Sequence, residues 1–147
     1  MKLLQNGIWR TQRLLEAGDC AKLIQLAEKS GFLPGKAQSE NHLPAAQTLL
    51  DRPTVIESIQ HQLDQQLEGA DLSPGLRLQK SLQCYRYQVQ QYSVPRKDMM
   101  QEVAADFWST HTLLVSLNDS YTGAELQFPA HDLTCTLEAG SGVLIEH

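Results

Sequence analysis

The sequence has no long hydrophobic run and no cluster of consecutive basic residues. No segment contains 18 apolar residues in a row, and the opening MKLL reaches Gln5 before the apolar core of a signal peptide could form. Lys and Arg number 12 against 17 Asp and Glu, so the net charge is −5 and offers no electrostatic footprint for nucleic acid or an anionic membrane. We therefore expect a cytoplasmic protein that binds neither nucleic acid nor membranes.

Cysteine is also scarce. Cys20, Cys84 and Cys135 lie about 50 to 65 residues apart, and none belongs to a CxxC pair of the kind that structural zinc sites use. An odd number of cysteines without a secretion signal argues against a disulfide framework. We interpret all three as buried thiols, because free cysteine usually packs as a small apolar residue.

Short motifs of several enzyme classes are absent. The sequence contains no GxSxG elbow, no P-loop, no GxGxxG motif and no HExxH motif. With 147 residues, 41% of them hydrophobic and 20% charged, the chain has the composition of one globular domain. We predict a single domain over residues 1–147.

Two segments of the first half have the periodicity of amphipathic helices. Apolar residues recur every three or four positions over residues 14–30, with Asp19 as the expected N-cap and Gly31 as the expected stop. A second helix is expected to begin near Arg52 and Pro53, because proline suits a first turn, and to run to Gly69. The helical part of the domain thus extends over about residues 8–70.

The residue pattern of the second half is typical of short strands. After the expected turn Ser73-Pro74-Gly75, residues 82–89 alternate, with Arg86 on the face expected to meet solvent and Tyr87 on the other. Further strands are predicted over residues 111–117, 125–128, 133–137 and 142–146. Helices followed by several strands predict an α+β domain whose helices cover one face of a sheet sandwich or barrel.

Five segments, in this order, resemble the prolyl 4-hydroxylase-like branch of the 2-oxoglutarate and Fe(II)-dependent dioxygenases. The family's entry helix is similar to residues 14–28, and its Tyr-x-Tyr strand followed nine residues later by His-x-Asp is similar to residues 85–87 and 96–98. The other three similar segments are residues 112–119 (TLLVSLND), 121–128 (YTGAELQF) and 140–145 (GSGVLI). Their shared order makes coincidence a poor explanation, although no single segment is specific.

The resemblance implies a double-stranded β-helix, a jelly-roll over about residues 80–147, with N-terminal buttressing helices. The family's last strands have no counterpart in these residues, so we expect an incomplete jelly-roll. If the family activity is retained, the cofactors are Fe(II) and 2-oxoglutarate, and the reaction hydroxylates a C–H bond of a peptide or small molecule. Otherwise no cofactor is expected.

The sequence departs from the family at the metal ligands. The family's facial triad of two His and one carboxylate leaves positions open for 2-oxoglutarate and O2. Arg96 occupies the first His position, and a guanidinium has no lone pair for a metal. Asp98 is the one matching ligand position, and His147 comes too early to be the distal His. No catalytic residue is therefore assigned.

Arg96 and Asp98 have two interpretations. As residues i and i+2 of a strand they would point into the former metal pocket, and the ion pair would replace iron. Alternatively, residues 94–98 form an exposed loop with two solvated charges. The resemblance also implies that Tyr87 and Thr112 contact 2-oxoglutarate, although either residue could be structural.

Two classes of function follow. The first is a dioxygenase that is degenerate or incomplete in this chain. The second is a metal-independent jelly-roll module, in which Arg96 receives an anionic small molecule or a peptide through its planar fork. An unpaired sheet edge would also allow a homodimer.

Overall fold

The computed structural model describes residues 1–70, 72 and 75–147, so Ser73 and Pro74 of the expected turn lie outside the described residues. All strand pairs in the described part of the chain are antiparallel. The elements are β1 (Lys2–Gln5), β2 (Ile8–Arg10), α1 (Ala17–Ser30), β3 (Ala46–Leu50), α2 (Pro53–Leu67), β4 (Leu82–Arg86), β5 (Glu102–Ala104), β6 (Phe107–Trp108), β7 (His111–Val115), β8 (Leu126–Phe128), a 3₁₀ turn (Pro129–His131), β9 (Leu133–Cys135) and β10 (Gly142–Glu146).

The largest sheet has four strands in the order β1-β2-β10-β7. β10 is central because its apolar residues suit burial on both faces, and Val143 and Leu144 are both buried. Cross-strand partners share a face, so Leu144 lies on the same face as its partner Leu113, and Val143 lies on the opposite face. Each face packs against a different layer of the molecule.

The helices cover the Leu113 face. α1 buries Cys20, Leu23 and Ala27, and α2 buries a stripe with helical spacing, Ile56, Ile59 and Leu63. All of these residues except Ile56 belong to one core cluster, against which Leu113 packs. The other face, with Ile8 and Val143, packs against the β8–β9 hairpin and Leu137.

Both helices lie within their predicted segments, but α1 begins three residues later, α2 ends two residues earlier, and the N-cap of α1 differs. α2 begins at Pro53 as predicted, and Gly31 ends α1 with a φ of 82°, a conformation that favours glycine. The N-cap of α1 is Glu16, without a side-chain hydrogen bond, so the prediction of Asp19 was wrong. Asp19 lies in the first turn, where its carboxylate contacts Lys22 on the next turn at 3.5 Å.

Of the predicted strands, the last is present at its predicted length and the other four are shorter, and the described residues form five further strands. β4, β7, β8, β9 and β10 lie within the predicted segments. β2 and β3 fall in the part expected to be helical, β1 lies before it, and β5 and β6 form a hairpin before β7. The described chain is therefore a mixed α/β fold with antiparallel strands, and the incomplete jelly-roll stays a prediction.

The three cysteines, which were interpreted as buried thiols, differ in how deeply they are buried. All three are free, Cys20 is buried, and Cys84 and Cys135 are half-buried against apolar clusters. Burial raises the pKa of each thiol, and the nearby Asp19 raises the pKa of Cys20 further.

No helix in the described part of the chain is long and apolar enough to span a membrane.

Candidate functional site

β4 separates a packed face from an open face. Arg86 lies on the packed face, where its Nη1 donates to Glu28 Oε2 at 2.6 Å and its guanidinium lies 4.4 Å from the centre of the Phe32 ring. The Arg86 side chain nevertheless stays 39% exposed, so the expectation that Arg86 meets solvent holds in part. Tyr85 and Tyr87 lie on the open face, 41% and 44% exposed. This face carries the candidate site.

A cleft of about 130 Å³ lies between the open face of β4, the segment before β3 and the loop after β4. We name it the Arg96 cleft; its lining includes Lys36, His42, Gln47, Tyr85, Tyr92 and Arg96. The cleft brings a guanidinium and two tyrosines together at the surface. Its residues come from segments that are far apart in the sequence.

His42 fixes the wall of the Arg96 cleft. Its Nδ1 accepts from the backbone N–H of Gln38 at 3.0 Å, so its Nε2 carries the proton and donates to the carbonyl of Tyr92 at 2.8 Å. The imidazole ring lies 4.9 Å from the Tyr92 ring. His42 is thus a buried, fully hydrogen-bonded histidine that joins two loops.

Arg96 and Asp98 form an ion pair in the loop after β4. Arg96 Nε donates to Asp98 Oδ1 at 3.1 Å, and the hydrogen bond to Asp98 raises the pKa of Arg96 above its ordinary value. The structure combines the two interpretations: residues 94–98 lie in a loop and not in a strand, as the second one expects, and the two charges are paired, as the first one expects. The side chains are 61% and 26% exposed, so the pair itself contributes only about 0–1 kcal/mol to stability.

The residues around Asp98 do not fit an iron centre. A facial triad needs three ligands on one side of the metal, and within residues 1–70, 72 and 75–147 no three His, Cys, Asp or Glu side chains are grouped to hold a metal. The carboxylate of Asp98 is engaged by a cation that cannot act as a ligand. Asp98 is therefore an ion-pair partner in this structure.

Tyr87 and Thr112 have hydrogen-bond partners of their own. The hydroxyls of Tyr87 and Ser93 lie 2.5 Å apart, and Thr112 Oγ1 lies 2.8 Å from His147 Nε2. Neither Tyr87 nor Thr112 is among the described residues that line the Arg96 cleft. The structure thus brings together Arg96 and Asp98, but it does not gather all four predicted site residues around one pocket.

His147 and His111 lie at the end of the β7–β10 pair. Glu146 is the cross-strand partner of His111, and the His147 backbone N–H donates to the carbonyl of Thr110 at 3.0 Å. His147 Nδ1 and His111 Nε2 are buried atoms without a hydrogen-bond partner in the described part of the chain. The sequence does not predict that His111 and His147 lie at the same end of this strand pair, because the two histidines are 36 residues apart.

The fold of the chain is similar to that of a solved prolyl hydroxylase. The viral collagen prolyl hydroxylase of Paramecium bursaria Chlorella virus-1, in its 2-oxoglutarate complex, matches with a TM-score of 0.66 over 95% of this chain and 77% of that chain. The identity is 19%, so the likeness shows a shared fold and does not extend to activity. No protein-family model matches the chain, and no curated protein matches it.

Proposed function

We propose that this chain is a diverged relative of the 2-oxoglutarate-dependent dioxygenases in which an arginine–aspartate pair stands at the position of the iron centre. The observation that carries the proposal is the contact of Arg96 Nε with Asp98 Oδ1 at 3.1 Å. The fold likeness to a prolyl hydroxylase and the order of the five sequence segments support the relationship.

The Arg96–Asp98 pair opposes metal binding through charge and geometry. A divalent cation approaching Asp98 meets a fixed positive charge, and the carboxylate must first lose its partner. Arg96 supplies no lone pair to compensate. We therefore expect no oxidative decarboxylation of 2-oxoglutarate by this chain.

The Arg96 cleft instead suits a carboxylate. A guanidinium has five N–H donors, and the contact with Asp98 occupies Nε, which leaves the two Nη groups able to grip a carboxylate in bidentate fashion. Tyr85 and Tyr92 provide aromatic surface beside it. At about 130 Å³ the cleft has room for a terminal carboxylate or one small side chain, so the ligand is a small carboxylic acid or the end of a peptide.

Calorimetric titration with Fe(II) under anaerobic conditions, or with Mn(II), tests the loss of the metal site. We expect no saturable binding at micromolar metal with or without 2-oxoglutarate. Arg96→His removes the opposing charge and adds a ligand, so it should gain metal affinity. The control Arg77→His alters another exposed arginine that contacts an aspartate, Asp64, at 3.3 Å. Equal gains in both variants, or tight binding by the wild type, would contradict the proposal.

Titration with succinate in the presence of the uncharged chelator 1,10-phenanthroline tests the carboxylate site. We expect binding that a chelator leaves unchanged, that Arg96→Gln weakens, and that Arg77→Gln preserves. Binding that requires a metal would restore the dioxygenase assignment. Unchanged binding by Arg96→Gln would remove the Arg96 cleft from consideration.

A second candidate function is self-association through the free edge of β4, which pairs only with β3 in the described part of the chain. The N–H and carbonyl of Gln47 both bond to Leu33, so they point away from β4. Gln47 faces Tyr85 across the ladder, and the backbone groups of Tyr85 therefore point outward from the sheet. An unpaired edge of this kind is a template for a strand from a second copy.

A further inference from the structure

A second and larger cleft lies where β2 leaves the four-stranded sheet, opposite the turn before β10. Its volume is about 400 Å³, within the range typical of small-molecule sites. It shares no lining residue with the Arg96 cleft. We name it the basic cleft; its polar lining includes Lys2, Arg10, Thr11, Arg13, Glu138 and Ser141.

The basic cleft concentrates positive charge in an acidic protein. Three cationic side chains face a single carboxylate, that of Glu138, although the whole chain has a net charge of −5. Arg13 Nη1 lies 3.5 Å from Glu16, and both of these side chains are largely exposed. Lys2 and Arg10 have no ion-pair partner within the described residues. Counting Glu138 and Glu16 against the three cations, these side chains leave a surplus of one positive charge, and it lies with Lys2 and Arg10, which are not ion-paired in the described part of the chain.

Lys2 and Arg10 are direct cross-strand partners in the β1–β2 ladder. Their side chains share a face of the sheet, and like charges directly opposite each other destabilise an antiparallel pair. Arg10 is also the partner of Val143 on β10, so it lies within the sheet and cannot move away as a residue of a free terminus could. An anion held between the two side chains would relieve this repulsion.

The backbone beneath the cations is held rigidly. The Thr11 N–H donates to the Gly142 carbonyl at 2.9 Å, and the Gly142 N–H returns to Thr11 Oγ1 at 2.8 Å. The N–H groups of Leu14 and Leu15 both bond to the Gly140 carbonyl. Because these bonds tie the end of β2 to the turn before β10, the arginines project from a fixed frame, which lowers the ordering cost of binding.

We propose that the basic cleft binds a small molecule through its oxyanion, a carboxylate or a phosphate. Arg10 and Arg13 each supply a planar fork that matches either group, and Lys2, the cross-strand partner of Arg10, adds a point charge. The proposal does not depend on the Arg96 cleft, because the two clefts have no lining residue in common and each can be occupied without the other.

Calorimetry at low ionic strength with inorganic phosphate and, separately, with citrate tests the site. We expect saturable binding of at least one anion, weakened about tenfold or more in Arg10→Gln, since hydrogen bonds to charged groups are the strong ones. Preference for phosphate or for citrate identifies the source of the oxyanion. The matched control is Lys22→Gln, which removes the same charge from an exposed position on α1.

Thermal unfolding gives a second readout. The preferred anion should raise the melting temperature of the wild type and of Lys22→Gln but not that of Arg10→Gln. Without anion, Lys2→Gln should melt no lower than the wild type, because it removes a like-charge contact from an exposed side chain. No saturable binding of either anion, or an equal loss in Lys22→Gln and Arg10→Gln, would overturn the proposal.

Discussion

At the scale of single residues, His42 links two loops through both nitrogens of its ring. His42→Ala leaves the backbone N–H of Gln38 and the carbonyl of Tyr92 without these partners. We expect a loss of about 1–3 kcal/mol in the free energy of unfolding, the range for polar groups left unsatisfied. Urea unfolding measures it, with His131→Ala as an exposed control. Equal losses in the two variants would contradict a linking role for His42.

His111 should make stability depend on pH. Burial is the main cause that lowers the pKa of His111, the charge of His147 lowers it further, and Glu146 acts in the opposite direction. A lowered pKa in the folded state means that the unfolded state binds the proton more readily, so stability falls as the pH drops below about 6.5, the ordinary value for histidine. Unfolding free energies measured between neutral and acidic pH should show this fall.

The matched variants for this pH dependence are His111→Gln and His61→Gln. His111→Gln should flatten the pH dependence, and His61→Gln makes the same substitution at an exposed position on α2 for comparison. If the unfolding free energies of the wild type and of His111→Gln change equally with pH, another group controls the loss of stability at acidic pH. Thr110 Oγ1, 2.8 Å from His111 Nδ1, stays available to the glutamine amide.

The contact between Arg96 and Asp98 shows what a single sequence can predict about a site. Opposite charges two positions apart predict a pair in any extended segment, and the pair is present. The backbone conformation of the segment was not predictable, because loop 91–100 takes its course from contacts with other parts of the chain, such as the Tyr92 N–H donating to the Leu43 carbonyl. Such partners carry no local sequence signal.

At the scale of elements, the turn between β9 and β10 depends on Gly140. Its φ is 83°, and a Cβ at this position would overlap the carbonyl oxygen of Leu15. Gly140→Ala therefore combines backbone strain with a clash against fixed backbone, and should cost several kcal/mol of stability, more than the strain of about 1–3 kcal/mol alone. Thermal and urea unfolding measure this loss.

Gly123→Ala is a closely matched control for Gly140→Ala. Gly123 has a φ of 79°, but no atom lies within 4 Å of a Cβ built there. It therefore reports the backbone strain without the clash. If the two variants lose equal stability, the contact between Gly140 and Leu15 does not hold the turn.

Helices were easier to predict than short strands for a physical reason. The stripe of Ile56, Ile59 and Leu63 is a local pattern that repeats over several turns of α2. β2 has only three residues, and it is a strand because β1 and β10 supply partners on both edges. Arg86 likewise lies on the packed face because Glu28 and Phe32 of distant segments meet it there.

At the scale of the whole molecule, the net charge of −5 conceals a local surplus of positive charge. Lys2 and Arg10 come from the first strands, and Glu138 and Ser141 from the turn before β10. The sequence shows no basic cluster, because antiparallel pairing of β2 with β10 joins segments about 130 residues apart. The net charge of the chain therefore argues against a broad surface that binds a polyanion such as nucleic acid, but it does not argue against a small site for a single anion.

The free edge of β4 leads to the last prediction, which concerns oligomeric state. Gln83 alternates with Tyr85 along β4, so its N–H also points outward from the β3–β4 ladder. If a second copy pairs there, the wild type should sediment as a dimer at high concentration, and Gln83→Pro should be monomeric. Proline is tolerated where an edge N–H faces outward, so the β3–β4 bonds should survive the change.

Gln83→Ala is the control, because it removes the same side chain, including its 3.2 Å bond to Gln47 Oε1, and keeps the N–H. It should remain dimeric. Circular dichroism checks that both variants are folded, and hydrogen exchange of the Gln83 and Tyr85 amides gives a measurement that needs no variant. Protection of these amides that grows with protein concentration supports edge pairing. A wild type that stays monomeric, with fast exchange at both amides, would exclude it.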